Sequence, residues 1–322
     1  MSVYVLRRLG ASLLLVFLVV SLTFFLLHAA PGSPADYLLL GTSRDAERAR
    51  ARMERTLGLD RPVVEQYLDW LADVARGDLG TSFAHGRPVS AVVAAALPTT
   101  LTLGLAGLLV EYAVALPLGI WAARRRGRAA DHLLRVGSLA LYSLPAFWLA
   151  LMAILLFAYR WPVLPASHLA SAGADLLPPA EQLLDRLRHL VLPATALGLA
   201  SAGGTLRYIR GSLLEVLEQD FIRTARAKGL GEGRVMLHAL RNALGPILQI
   251  LGVSLPALLN GALVIEIVFS WPGLGQVAFQ ALSTRDYPVI LATTAVSAVL
   301  VVAGNLLADV LHAAADPRLR RA

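Results

Sequence analysis

Three observations predict an all-α, polytopic membrane protein with about six transmembrane helices. The chain is 57% hydrophobic and only 16% charged, with a mean hydropathy of +0.63. Apolar runs of membrane-spanning length recur along it, and its arginines gather beside those runs. An ordinary soluble domain could not leave this much apolar surface in water.

Composition also excludes function classes. A formal charge of +7 and a pI near 10.2 would suit nucleic acid, but no basic face with interleaved aromatics accompanies them, so no nucleic-acid partner is expected. With no cysteine there are no disulfides and no thiolate metal sites. The only lysine, Lys228, follows Ala227, whereas a phosphate-binding glycine loop needs lysine after glycine. The histidines form neither HExxH nor a paired metal spacing, and no serine or aspartate pair resembles an intramembrane protease. The expectation is a chain with no catalytic residue, no metal and no cofactor of its own.

Residues 1–28 hold the N-terminus and the first span. Behind Arg7 and Arg8, the apolar run Leu9 to Leu27 is long enough to cross a hydrocarbon core of roughly 30 Å at about 1.5 Å per residue. HAAPGS follows as in a signal peptide, but the run is long and no well-placed small-x-small cleavage site stands after it, so it reads as retained. Residues 29–98 are expected to be an extracytoplasmic helical segment. DAERARARMERTLGL predicts one helix there, and PVVEQYLDWLADVARG another with Val64, Tyr67, Leu68, Leu71 and Val74 as its apolar stripe.

Residues 99–322 form the expected permeation core. Thr99 to Ala122 is the second span, with Glu111 near its middle. An ionisable side chain at that depth costs roughly 2.5–3.5 kcal/mol, so it should avoid lipid. Two readings stay open: a pathway residue meeting a charged solute group, or a hydrogen-bonded packing residue between helices. Arg124, Arg125, Arg126 and Arg128 then anchor the inner end. Leu133 to Ala158 is the third span, kinked at Pro145. Tyr159 to His189 is a polar connection carrying a short surface helix, and Leu190 to Leu206 is the fourth span, where Ser201, Ala202, Gly203 and Gly204 allow close packing.

Ile247 to Phe269 is the fifth span. At about 100° per residue, Gln249, Pro256 and Asn260 fall within about 40° of one another, with Glu266 roughly 100° from Gln249. Gln249 and Asn260 are candidates for lining a water-filled route, with inter-helix hydrogen bonding as the alternative; Glu266 belongs at the outer end or in a helix contact. Trp271, Pro272, Gly273, Leu274 and Gly275 open an outer turn whose composition suits a re-entrant or folded loop. Val289 to Leu311 is the sixth span. Sixteen of the 29 basic residues fall on the side of the termini and only four in short loops opposite, which predicts cytoplasmic termini.

Between the fourth and fifth spans lies a polar loop, 207–246, whose core is DFIRTARAKGLGEGRVMLHALRNALGP. Asp220 is placed to cap a short helix and Gly229 to end it in a left-handed conformation. Phe221 and Ala225 share one side with Ile222 beside them, while Arg223 and Arg226 share another. Ala225, Ala227 and Gly229 are small enough for a partner surface to approach. Arg234 to Leu244 predicts a second helix, leading through Pro246 into apolar sequence.

RTARAKG followed by HALRNALGP resembles the cytoplasmic coupling loop of ABC-importer permeases of the dipeptide/oligopeptide/nickel class. Arg223, Thr224 and Ala225 stand at the E, A and A positions of that family's motif and Gly229 at its glycine; the first two letters depart from the general consensus. LGLDRPVVEQYLDWL, GDLGTSF, WPGLG, RDYP and the terminal Asn305, Asp309, Asp316, Pro317 and Arg318 extend the resemblance along nearly the whole chain. It implies a type I ABC-importer permease fold in the inner membrane of a prokaryote. It also implies a second homologous permease, two cytoplasmic ATPases carrying ATP and Mg, and an extracytoplasmic binding protein. Asp220, Phe221, Ile222, Arg223, Thr224, Ala225, Arg226, Ala227, Lys228 and Gly229 would then be the ATPase-coupling residues. Peptides are the first expected solute, nickel or another small solute the second. A stand-alone ion-coupled carrier is a distant third, because no internal repeat or paired interrupted helix is visible.

Overall fold

The computed structural model describes residues 2–32, 34, 52, 54–56 and 58–315. Among them the ordered structure is helical, apart from one antiparallel bridge between Thr81 and Pro88. The chain divides into two units, Met1–Thr100 with Pro272–Leu300, and Leu101–Trp271 with Val301–Ala322.

The first unit contains α1 (Ser2–Ala29), α2 (Val63–Ala75), the first turns of α3 (Val89–Arg124), α9 (Leu274–Thr284) and the first half of α10 (Tyr287–Ala315). Val89, Val93, Ala96, Ala281, Val289 and Ile290 form its main core. A smaller cluster seats α2 on α1 through Phe24, whose ring lies 5.2 Å from that of Tyr67 and 5.7 Å from that of Trp70. The predicted α2 stripe is therefore corrected: Tyr67, Leu71 and Val74 are half-buried, but Val64 and Leu68 are 61% and 58% exposed and Trp70 takes the inward place. The covered arc is rotated by about 50° from the expected one, at about 100° per residue, because α1 presents aromatic surface there. The helix predicted from Asp45 to Leu59 lies largely outside the described residues.

The second unit contains the rest of α3, then α4 (Ala129–Ser143), α5 (Ala146–Ile154) running into a π-helical turn (Leu155–Arg160), α6 (Pro179–Leu217), α7 (Asp220–Ala227) and α8 (Glu232–Val268). The predicted kink at Pro145 is a full break, with α4 and α5 bent by 95°. Leu144 and Pro145 both have extended ψ, 132° and 140°, because proline disfavours helical geometry in the residue before it and here begins a new helix. Two expected boundaries are absent. The short surface helix and fourth span are one 39-residue helix, α6, with Pro193 inside it. Likewise the expected helix at Arg234 to Leu244 and the fifth span are one 37-residue helix, α8. Prolines are tolerated inside such helices when neighbouring helices re-satisfy the freed carbonyls.

Among the described residues four helices are long and apolar enough to cross a membrane, or five if α4 and α5 form one broken span. Helix α6 is the most enclosed, and small residues explain how. A side-chain carbon added at Gly198 would lie 2.8 Å from Val110 Cβ and 2.9 Å from the Glu111 nitrogen on α3; one added at Gly203 would strike the Ser138 carbonyl on α4. Gly203→Val should therefore destabilise the second unit by about 1–3 kcal/mol. Thermal unfolding of the detergent-purified chain checks this, and an unchanged midpoint would refute the close approach.

Candidate coupling element and buried polar sites

Helix α7 is built by its ends. Gln219, with φ −73° and ψ 152°, occupies the cap position, so Asp220 is the first helical residue and not the cap expected from the sequence. Its carboxylate accepts a hydrogen bond from Arg223 Nη1 at 3.2 Å and still complements the positive end of the helix. At the other end Gly229 has φ +80°, as expected. Its N–H donates to the Arg226 carbonyl at 2.9 Å, and the Leu230 N–H donates to the Ala225 carbonyl at 3.2 Å. Those two bonds make a Schellman ending, which needs a residue tolerant of the left-handed region.

The helix has one anchor. Ile222 is completely buried in a cluster with Leu213 and Val216 of α6 and Val235, Met236 and Ala239 of α8. Leu230 packs against the same cluster. Phe221 stays 39% exposed, and Arg223, Thr224, Arg226, Ala227, Lys228 and Gly229 are exposed, while Ala225 is half-buried. The outward face thus has one aromatic ring, small residues and cations. Arg226 ties the element to α8: its Nε and Nη2 donate to Glu232 at 2.9 and 3.3 Å. Arg126 pairs with Glu218 between α6 and α7.

Deeper in the second unit, Glu111 is fully buried. Thr205 Oγ1 of α6 and Ser254 Oγ of α8 donate to its Oε1 at 2.5 and 2.9 Å. Its Oε2 has no partner among the described residues. The carboxyl group therefore joins three helices. Of the other pathway candidates, Gln249 is exposed, Glu266 is fully buried and the Asn260 side chain lies outside the described residues. Trp271 is buried beside Leu258, Ile265 and Phe269. In the first unit Pro272 is exposed, Gly273 caps α9, and the N–H of buried Leu274 donates to Thr100 Oγ1 at 2.7 Å; Gly275 is half-buried in the helix.

Two buried aspartates were not singled out by sequence. Asp286, just ahead of α10, accepts from Ser82 Oγ at 2.5 Å and from the backbone N–H groups of Phe83 and Ala84 at 3.1 and 3.0 Å. RDYP entered only as part of the family resemblance, and nothing local ties its aspartate to residues 82–84. Asp131 accepts two hydrogen bonds from Arg210, at 2.6 and 2.8 Å, and one from the Gly127 N–H. No local signal links residues 79 positions apart.

Comparison with known proteins decides the family. Residues 115–321 match the binding-protein-dependent transport system inner membrane component, and residues 1–104 match the N-terminal region of such membrane components. The chain belongs to this family. The permease is 38% identical to the oligopeptide transport system permease protein AppB of Bacillus subtilis (strain 168) over 99% of both chains. It is 39% identical to the di/tripeptide transport system permease protein DppB of Pseudomonas aeruginosa (strain UCBPP-PA14), and 36% identical to the dipeptide transport system permease protein DppB of Escherichia coli (strain K12), each over 98% of both chains. Its helical architecture is the type I ABC-importer permease fold, and the permease is a multi-pass inner-membrane component with a transport role.

Two measurements test this local chemistry. The Arg226 guanidinium beside Glu232 holds the glutamate carboxyl below its ordinary range. Because the value is lowered in the fold, the contact stabilises above the ordinary glutamate range and is lost as pH falls through the lowered value; both groups are largely exposed, so salt weakens it. Carbon-detected NMR titration should show the Glu232 midpoint rising in Arg226→Gln, and an unmoved midpoint would reject the pairing. Asp286→Ala should accelerate amide hydrogen exchange at Phe83 and Ala84 about tenfold or more, since each loses a charged acceptor. Unchanged exchange would show that the loop is held otherwise.

Proposed function

We propose that this permease is one of two homologous transmembrane subunits of an ATP-driven importer of dipeptides or oligopeptides. In this reading it has no catalytic residue; two cytoplasmic ATPases supply ATP and Mg, and an extracytoplasmic binding protein delivers the solute. Both termini and the 207–246 loop face the cytoplasm, in keeping with sixteen of the 29 basic residues on that side. Residues 29–98 form the extracytoplasmic segment. The names of the relatives, all peptide permeases matched from end to end, support the solute class.

The observation that carries the coupling role is the form of α7. It is a short helix anchored at a single buried residue, Ile222, between the ends of two long helices, with Phe221, Arg223, Thr224, Ala227 and Gly229 turned outward. An exposed ring flanked by small residues suits a groove on an ATPase, and the cations suit an acidic rim. Closing of the ATPase pair on ATP would move α7 as a rigid unit, because its ending and its anchor resist deformation. Displacement would pass to α6 and α8 through Ile222. On α8, Gln249, which is exposed, and Asn260 are the residues we assign to the solute route. The Thr205 and Ser254 bonds favour a packing role for Glu111, and burial favours the same for Glu266.

ATP hydrolysis by the complex copurified through this chain into lipid tests the reading. Stimulation that requires both a binding protein and a short peptide is the expected result. ATPases that copurify but ignore peptide would move the solute to nickel or another small molecule, and a chain that transports without ATPases would overturn the importer. Gly229→Val should separate hydrolysis from transport: a β-branched residue at φ +80° costs about 1–2 kcal/mol, although nothing lies within 4 Å of its added carbon. Unchanged transport per ATP would exclude α7 from coupling.

A further inference from the structure

The chemistry assigned so far leaves a basic cleft unused. In the second unit a cleft of about 270 Å³ is lined by His132, Arg135, Val136 and Leu139 of α4 and Arg207 and Arg210 of α6. We propose that it holds the phosphate of an anionic phospholipid headgroup, with an acyl chain lying along Val136 and Leu139.

Charge is the first argument. Three guanidiniums line the cleft, and the acidic group set against them is Asp131, which already accepts from Arg210 and Gly127. An excess of fixed positive charge beside lipid needs an anion.

Preorganisation is the second argument. Asp131 fixes the plane of the Arg210 guanidinium with two hydrogen bonds. Arg207 is held with its Cζ 4.9 Å from the centre of the Tyr142 ring, and its buried Nε has no hydrogen-bond partner among the described residues. A phosphate oxygen would satisfy that donor in the planar, forked geometry that arginine favours. Arg135, on the exposed side of α4, completes the cationic rim, with the His132 imidazole beside it.

Depth and polarity favour a lipid over a soluble anion. Val136 and Leu139 are more than half exposed, so the cleft continues into an apolar wall. Arg210 and Arg207 stand seven and ten residues before the end of α6 at Leu217, roughly 10 and 15 Å along the axis. That level, on the side of the bundle bearing α7, suits a headgroup next to its acyl chains.

Native mass spectrometry of the full-length chain, released from detergent after incubation with phosphatidylglycerol or phosphatidylcholine, provides the test. The wild type should retain phosphatidylglycerol preferentially. Arg135→Gln, at an exposed position, should reduce that preference about fivefold, while Arg135→Lys should keep most of it. Arg207→Gln should reduce it as well, with thermal unfolding confirming that the chain remains folded. Equal retention of the two lipids, or a preference untouched by Arg135→Gln, would overturn the proposal. Displacement of phosphatidylglycerol by millimolar inorganic phosphate alone would reassign the cleft to a soluble anion. Unchanged lipid retention with loss of a copurifying second permease in Arg135→Gln would make it a protein contact instead.

Discussion

Close backbone approach along α6 is the constraint on which the second unit depends. In a bilayer the tails surrounding a helix are as apolar as its own side chains, so burial of leucine against leucine provides little reason for helices to associate. Dispersion at short range and hydrogen bonds between helices must do so. Gly198 and Gly203 place α6 directly against the backbones of α3 and α4. That proximity lets Thr205 reach Glu111, and Ser254 brings α8 to the same carboxyl group. One acidic side chain becomes tolerable in apolar surroundings because three helices converge on it.

The same helix leads to α7. Beyond Leu217 only Glu218 and Gln219 intervene before Asp220, and α8 begins at Glu232, so α7 sits between the ends of the two longest helices of the unit. Ile222 binds it to both, and the Schellman ending fixes where its chain departs. Surface ion pairs at Arg126 and Arg226 contribute modestly, since both pairs are largely exposed. Rigidity therefore comes from packing at one buried isoleucine and from backbone geometry at one glycine. In the proposed function, such an element would pass a push into the long helices.

Elements with a local cause were legible in the sequence. Gly229 announced the left-handed ending, the run behind Arg7 and Arg8 announced α1, and the small residues around Gly203 announced close packing. The start of α7 moved by one residue, with Gln219 and not Asp220 at the cap. Where the reading of packing erred, a distant partner had outweighed the local rule. Polar sequence ahead of Leu190 and proline at 246 suggested boundaries, yet α6 and α8 run unbroken through them. On α2, the aromatic surface of α1 drew Trp70 inward and left Val64 and Leu68 outside.

Composition and pattern by themselves determined a helical membrane protein, the approximate place of its spans, and a polar, basic segment holding a short helix that ends at Gly229. Those properties follow from hydrophobicity, charge and the backbone preferences of glycine and proline, all of which act over a few residues. Only the tertiary structure decided that Glu111 meets Thr205 and Ser254, that Asp286 holds residues 82–84, and that Asp131 orients Arg210 beside a basic cleft. Each of those contacts joins residues far apart in sequence, where neither spacing nor propensity specifies a partner; the packing of whole helices does.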